Sequence, residues 1–134
     1  MELFSLSADE LLRSRGALAQ VDGIPTHELA DQKYDIEAML QCCYAEEASY
    51  WAQEEGSRLC AKPFFFERVA ILSRKAKDFA QEVAICERWV SIISDYKSQP
   101  MVKKKRAALA HKGPRSIAII ARLKVARAEL KKHS

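Results

Sequence analysis

The chain has 134 residues, 49% of them hydrophobic and 30% charged, with four glycines and four prolines. This composition does not favour a disordered chain, and the scarcity of glycine and proline argues against an all-β fold, which needs frequent turns. The sequence contains no apolar run of about 18 residues and no signal-peptide pattern, so we expect no membrane partner and a cytoplasmic location in which the four cysteines are reduced.

A capping pattern marks the first helix. Ser7 and Glu10 have the spacing of a capping box, in which the two side chains satisfy free backbone N–H groups at a helix start. We expect this helix to continue to about Gln20 and to stop before the sequence VDGIP, because glycine and proline mark a turn.

A second helical region follows the turn. Thr26 is suited to cap it, since a threonine hydroxyl can accept a hydrogen bond from a free N–H group at a helix start. No helix breaker then occurs before Gly56. Residues 27–56 are therefore predicted to be either one long helix or two helices with a break near residues 40–44, and the sequence leaves both interpretations open.

Residues 63–97 have the pattern of a central helical hairpin. Pro63 suits the first turn of one helix, and Asp78 can cap the next. The first helix carries one apolar stripe, made of Phe65, Val69, Leu72 and Ala76. The second carries two neighbouring stripes, which are Phe79, Val83, Cys86, Val90 and Ile93, and beside them Ile85, Trp89, Ile92 and Tyr96. Because two stripes need packing partners on two sides, this helix is predicted to be the centre of the fold.

The hairpin resembles the tetratricopeptide-repeat family over residues 63–96. The family's succession of a bulky aromatic, an aliphatic and a small residue is matched by Phe66, Val69 and Ala70. The family's turn, commonly Asp-Tyr, is matched by Asp78 and Phe79. The sequence departs from the family at Ser73, Glu82, Cys86 and Trp89. The resemblance implies a scaffold that binds a protein or peptide in a groove between stacked helices, without catalysis.

The C-terminal region is strongly basic. Residues 1–100 have a net charge of −6 and residues 101–134 a net charge of +10, which together give the +4 of the whole chain. We interpret residues 101–134 as a basic hairpin, with a short helix ending at Gly113 and a last helix starting at Pro114. The last helix has one apolar stripe, made of Ile119, Leu123, Ala126 and Leu130.

Three interpretations of this basic hairpin remain open. In the first, it packs on the chain's own acidic second helix or forms a solvated face. In the second it binds nucleic acid, and in the third it binds an acidic protein surface. No aromatic residue occurs in residues 101–134, so a stacking platform for single strands is missing.

Motifs of catalysis and metal binding are missing from the sequence. The histidines are far apart and have no metal-ligand spacing: His27, His111 and His133. The four cysteines have no CxxC spacing and are interpreted as small core residues, with Cys60, near Lys62, as the one candidate nucleophile. We therefore predict no enzyme activity, no cofactor and no bound metal.

The sequence thus predicts an all-α fold, a single helical domain over residues 1–134 with five or six helices arranged as stacked hairpins. We predict a non-enzymatic protein-binding module, an adaptor or an inhibitor, similar in size and composition to inhibitors encoded by phages and mobile elements, such as anti-CRISPR proteins. The alternative is a nucleic-acid or ribonucleoprotein binder that uses residues 101–134. The predicted partner-binding residues are Arg68, Arg74, Arg88, Lys103, Lys104, Lys105, Arg106 and Arg122.

Overall fold

The structure, a computed structural model that describes residues 7–134, consists of helices and one two-stranded β-hairpin. In chain order the elements are α1 (Ala8–Ser14), β1 (Gln20–Val21), β2 (Ile24–Pro25), a 3-10 segment (Thr26–Gln32), α2 (Ile36–Ala52), α3 (Pro63–Lys75), α4 (Phe79–Ser98), α5 (Pro100–Lys103), a second 3-10 segment (Ala110–Lys112) and α6 (Pro114–Lys132). The predicted all-α bundle of five or six helices is confirmed, because residues 7–134 contain six α-helices. Among the helices of residues 7–134, none combines the length and the apolar composition that a membrane-spanning helix requires.

Helix α1 begins where the sequence predicts and ends earlier. The capping box is present, since the Glu10 N–H donates to the Ser7 hydroxyl at 3.1 Å and the Ser7 N–H donates to the Glu10 carboxylate at 3.3 Å. The prediction of a helix to Gln20 is wrong, because Gln20 pairs with Pro25 in the β-hairpin. The hairpin turn has Asp22 at φ 50° and a glycine at φ 81°, the positive values that an Asp-Gly turn adopts readily.

Neither interpretation of residues 27–56 is correct as stated, because Thr26–Gln32 is a 3-10 segment and Ile36–Ala52 is one α-helix, α2, without a break near residues 40–44. Asp35 caps it and accepts a hydrogen bond from the Ala38 N–H at 3.2 Å. The predicted helix cap at Thr26 is wrong, because Thr26 starts a 3-10 segment. Its hydroxyl donates instead to the buried carboxylate of Glu46 at 2.7 Å.

Helices α3, α4 and α6 pack around one core. Helix α3 lies against α2, α4 and α6, and α4 lies between α3 and α6. Both predicted stripes of α4 are at least partly covered, and Trp89 has no exposed surface. The Trp89 ring lies 5.2 Å from that of Phe66, and its Nε1 donates to the hydroxyl of Ser116 on α6 at 2.9 Å. The central position predicted for this helix is confirmed.

The segment between α4 and α6 differs from the prediction. A short helix does start at Pro100, but it ends at Lys103 and not at Gly113. The Lys105 N–H donates to the Val102 carbonyl at 3.0 Å, and the next N–H, that of Arg106, donates to the Met101 carbonyl at 2.8 Å. With φ 58° at Lys105, this is a Schellman-type helix end formed without glycine.

Candidate interaction surfaces

Two of the predicted binding arginines meet at one buried carboxylate. Glu82 on α4 has no exposed surface. The Nε of Arg74, on α3, lies 3.0 Å from its Oε2, and the Nη1 of Arg122, on α6, lies 2.9 Å from the same oxygen. A carboxylate removed from water needs such partners, so both guanidinium groups are engaged in joining three helices.

Two further predicted arginines lie over exposed tyrosines. Arg88 lies 5.1 Å from the centroid of the Tyr44 ring and donates to Glu47 at 2.6 Å. Arg68 lies 5.3 Å from the centroid of the Tyr34 ring. Its Nε and Nη2 both donate to the backbone carbonyl of Lys33. Each arginine thus has an aromatic and a polar partner within the chain.

The remaining predicted residues form a separate basic patch. Lys103, Lys104, Lys105 and Arg106 are all exposed. None of them forms an ion pair with an acidic side chain of residues 7–134. The eight predicted residues therefore lie at several places and do not converge on one site.

Some of the basic residues of α6 form ion pairs with acidic residues of the same chain. Besides Arg122, the Nη1 of Arg115 lies 3.2 Å from Glu67 on α3, and the Nη2 of Arg127 lies 3.0 Å from Glu87 on α4. The interpretation that the C-terminal region packs on its own acidic residues is therefore correct for α6, but the partners are α3 and α4. The expected packing on the second helix, α2, is wrong.

Sequence reasoning missed an apolar surface on the opposite side of α6. Its largest members, Ile117, Ile120 and Val125, are 55%, 42% and 48% exposed. At helical spacing they share one side of α6 with two exposed alanines and one exposed lysine. We name this surface the α6 outer face, and it consists of Ile117, Ile120, Ala121, Lys124, Val125 and Ala128.

The buried and half-buried thiols lack the setting of a nucleophile. Burial, with a smaller contribution from the charge of Glu46, raises the pKa of Cys60 to about 12. Burial likewise raises the pKa of Cys42 and of Cys86 to about 11. A thiolate is the reactive form, so a raised pKa disfavours nucleophilic reaction near neutral pH. In the part of the chain that the structure describes, no three His, Cys, Asp or Glu side chains converge as metal ligands do.

Comparisons with protein-family models, with curated proteins and with solved structures found no match. The resemblance of residues 63–96 to a tetratricopeptide hairpin therefore stays a prediction that rests on the quoted residues alone. Two of its departures, Glu82 and Trp89, are large buried side chains at positions where that family has small ones.

Proposed function

We propose that the protein is a non-enzymatic protein-binding module, an adaptor or an inhibitor, and that the α6 outer face is its docking surface. The observation that carries this proposal is the two-sided apolar character of α6. Its inner side, with Ile119, Leu123 and Ala126, is buried against the core. A helix that is apolar on both sides normally has packing partners on both sides, and residues 7–134 supply a partner for one side only.

The composition of the α6 outer face suits a packed contact. Ile117, Ile120 and Val125 are roughly half exposed, so each can contribute about half of the 1.5–3 kcal/mol that complete burial of such a side chain provides. The exposed Ala121 and Ala128 have small side chains that allow a partner helix or strand to approach closely. A contiguous apolar patch on a folded protein commonly marks an interaction site.

Charge indicates the chemistry of the partner. Lys124 lies within the face, and Lys131 and Lys132 follow it on the same helix, all three exposed and without an ion pair to residues 7–134. A partner with aliphatic side chains surrounded by Asp or Glu complements this pattern. A second copy of the chain is less suited, since a two-fold contact centred on this face would bring like lysine charges together.

The proposal includes a cytoplasmic location and a role as an inhibitor or adaptor. The free cysteines at 42, 43, 60 and 86 support a reducing compartment. The resemblance in size and composition to phage- and mobile-element-encoded inhibitors supports a host complex as the target of an inhibitor.

Affinity capture from nuclease-treated extracts of the source cells tests the proposal with one matched pair of variants. Ile120→Gln removes an apolar side chain that is 42% exposed on the α6 outer face, and Ile24→Gln removes one that is 44% exposed on the β-hairpin. We expect a discrete protein partner to be captured by wild type and by Ile24→Gln, and lost with Ile120→Gln. Equal capture by both variants would contradict the assignment of the surface.

Nucleic-acid or ribonucleoprotein binding is the second candidate, and the exposed patch Lys103–Arg106 favours it. Binding through phosphate contacts weakens with salt, with a log–log slope of about −0.9 for each duplex phosphate neutralised. Fluorescence anisotropy of generic DNA and RNA across a salt series separates the candidates. Protein binding as the main function predicts feeble nucleic-acid binding at about 150 mM salt. Sub-micromolar affinity that is abolished by Lys103→Glu with Lys105→Glu would instead support the second candidate.

A further inference from the structure

A cavity of about 410 Å³ lies between the C-terminal end of α4, α5 and the chain that leads to α6. Four of its lining residues are lysines: Lys97, Lys103, Lys105 and Lys112. The other lining residues are Ser94, Ser98, Val102, Leu109 and His111. We name it the basic cavity. Its residues are different from those of the α6 outer face.

The basic cavity concentrates positive charge without a compensating acid in its lining. Asp95 is the nearest acid in sequence, and it is engaged elsewhere: its Oδ2 accepts hydrogen bonds from Tyr50 at 2.7 Å and from Arg58 at 3.2 Å. The C-terminal end of α4 contributes about half a negative charge through its aligned carbonyls. Four lysines border the cavity and no acid does, so their positive charge outweighs that contribution and favours an anion.

The polar and apolar parts of the lining add to this preference. His111 adds an imidazole ring to the lining. Ser94 and Ser98 also line the cavity, and the Ser98 hydroxyl donates to the Asp95 carbonyl at 2.7 Å. Val102, which is buried, and Leu109, which is half-buried, form the apolar part of the lining. A ligand that complements both the lysines and the apolar lining residues is anionic at one end and apolar or aromatic at the other.

The backbone around the cavity is held in place from two sides. The hydroxyl of Tyr96 donates to the Ala108 carbonyl at 2.6 Å, which ties the connecting segment to α4. The helix end at Lys105 fixes the turn between Lys103 and Arg106 through its two backbone hydrogen bonds. The lysines therefore extend from an ordered backbone, which reduces the ordering cost of binding a ligand.

We propose that the basic cavity binds a phosphate-bearing ligand of about the size of a mononucleotide. Lysine is a point-charge binder of phosphate, and several lysines in one concavity match a group that carries more than one negative charge. The cavity volume of about 410 Å³ lies within the range of small-molecule sites, about 300–1,000 Å³. The same terminal phosphate chemistry is offered by a free nucleotide and by the 5′ end of a nucleic acid, and the probes below separate these two sources.

The test is isothermal titration calorimetry on the full chain with four probes. ADP represents a free phosphate ester, and adenosine is its uncharged control. A short single-stranded oligonucleotide with a 5′-phosphate and the same oligonucleotide with a 5′-hydroxyl represent the second source. We expect ADP to bind and adenosine not to bind. A clear preference for the 5′-phosphorylated oligonucleotide over both its 5′-hydroxyl form and ADP would identify a nucleic-acid end as the ligand.

A matched pair of variants locates the site. Lys105→Gln with Lys112→Gln removes two charges from the basic cavity, whereas Lys131→Gln with Lys132→Gln removes two from the exposed end of α6. All four lysines are exposed, so both variants are expected to fold, and circular dichroism checks this. We expect the first variant to bind the phosphate probe at least about tenfold more weakly and the second to bind within about twofold of wild type. No binding by any phosphate probe, or equal weakening by both variants, would overturn the proposal.

Discussion

Arg122 on α6 donates a hydrogen bond of 2.9 Å to Glu82 on α4, a carboxylate with no exposed surface. Arg74 on α3 contacts the same carboxylate, so three helices meet at one buried negative charge. This contact fixes the inner side of α6 on the core. The α6 outer face is consequently turned away from α3 and α4, where a partner can reach it.

The buried carboxylate should contribute far more to stability than an exposed one in a similar pair. Glu82→Ala leaves two arginines without their shared partner and is expected to cost about 3–5 kcal/mol of unfolding free energy. Glu87 pairs with Arg127 at 3.0 Å, but their side chains are 51% and 57% exposed, so Glu87→Ala should cost less than about 1 kcal/mol. Urea denaturation measures both values. Equal losses would mean that Glu82 is not buried as described.

Truncation of the central tryptophan should be similarly costly. Trp89 is fully buried against Phe66, so Trp89→Ala is expected to lower the unfolding free energy by about 3–5 kcal/mol. Trp51, which is 41% exposed, provides the control, and Trp51→Ala should cost clearly less. Chemical denaturation measures the loss of unfolding free energy in both variants. A loss below about 1 kcal/mol for Trp89→Ala would rule out the two-sided packing of α4.

Glu46 should make stability depend on pH. Burial raises its pKa above the usual 4.5, although hydrogen bonds from the Lys62 N–H and the Thr26 hydroxyl oppose the shift. The folded state therefore holds the proton more tightly than the unfolded state, so stability falls as the pH rises from about 4.5 through the folded pKa. Glu46→Gln removes this titration and keeps a side chain that can hydrogen-bond to both partners.

Denaturation midpoints of wild type and Glu46→Gln across pH test this expectation. The variant should be the more stable protein near neutral pH, and its advantage should shrink as the pH approaches 4.5, where wild type also becomes uncharged. A difference in stability between wild type and Glu46→Gln that stays constant from neutral pH to pH 4.5 would show that Glu46 does not titrate with a raised pKa.

The thiols should react slowly in the folded protein. With pKa values raised by burial to about 11 for Cys42 and Cys86 and about 12 for Cys60, their thiolate fraction at pH 8 is about one in a thousand or less. Alkylation followed by mass spectrometry should show slow labelling of the native protein and fast labelling of all four cysteines in denaturant. Rapid native labelling of Cys60 would restore it as a candidate nucleophile.

Sequence patterns correctly predicted the helices and caps that are determined by a few neighbouring residues. The stripes of α4 and α6 follow the helical period, and Ser7 and Asp78 cap helices as their types suggest. The predicted stripe of α3 is correct for Phe65, Val69 and Leu72 and wrong for Ala76, which is exposed and follows the end of the helix. The failures have tertiary or unusual local causes. Thr26 bonds to a carboxylate 20 residues away, and Lys105 ends a helix in a conformation for which sequence rules rely on glycine.

The sites were less predictable than the helices because pairing across the fold decides which charges are available. The sequence identifies Arg74, Arg88 and Arg122 as candidate binding residues, but it does not reveal that acids on other parts of the chain, Glu47 and Glu82, engage them. The α6 outer face had a signal in the sequence, since isoleucine, valine and alanine also occupy positions outside the stripe. The prediction of one apolar stripe for α6 left these positions out.

Site-specific photocrosslinking in the source cells tests the docking surface most directly. A photoreactive amino acid is placed at Ala121, within the α6 outer face, and in a matched control at Ala84, an exposed alanine on α4. We expect a discrete crosslinked protein from position 121, absent when Ile120→Gln is added, and no such product from position 84. The absence of a crosslink at position 121, or the same products from both positions, would contradict a protein-binding role for α6.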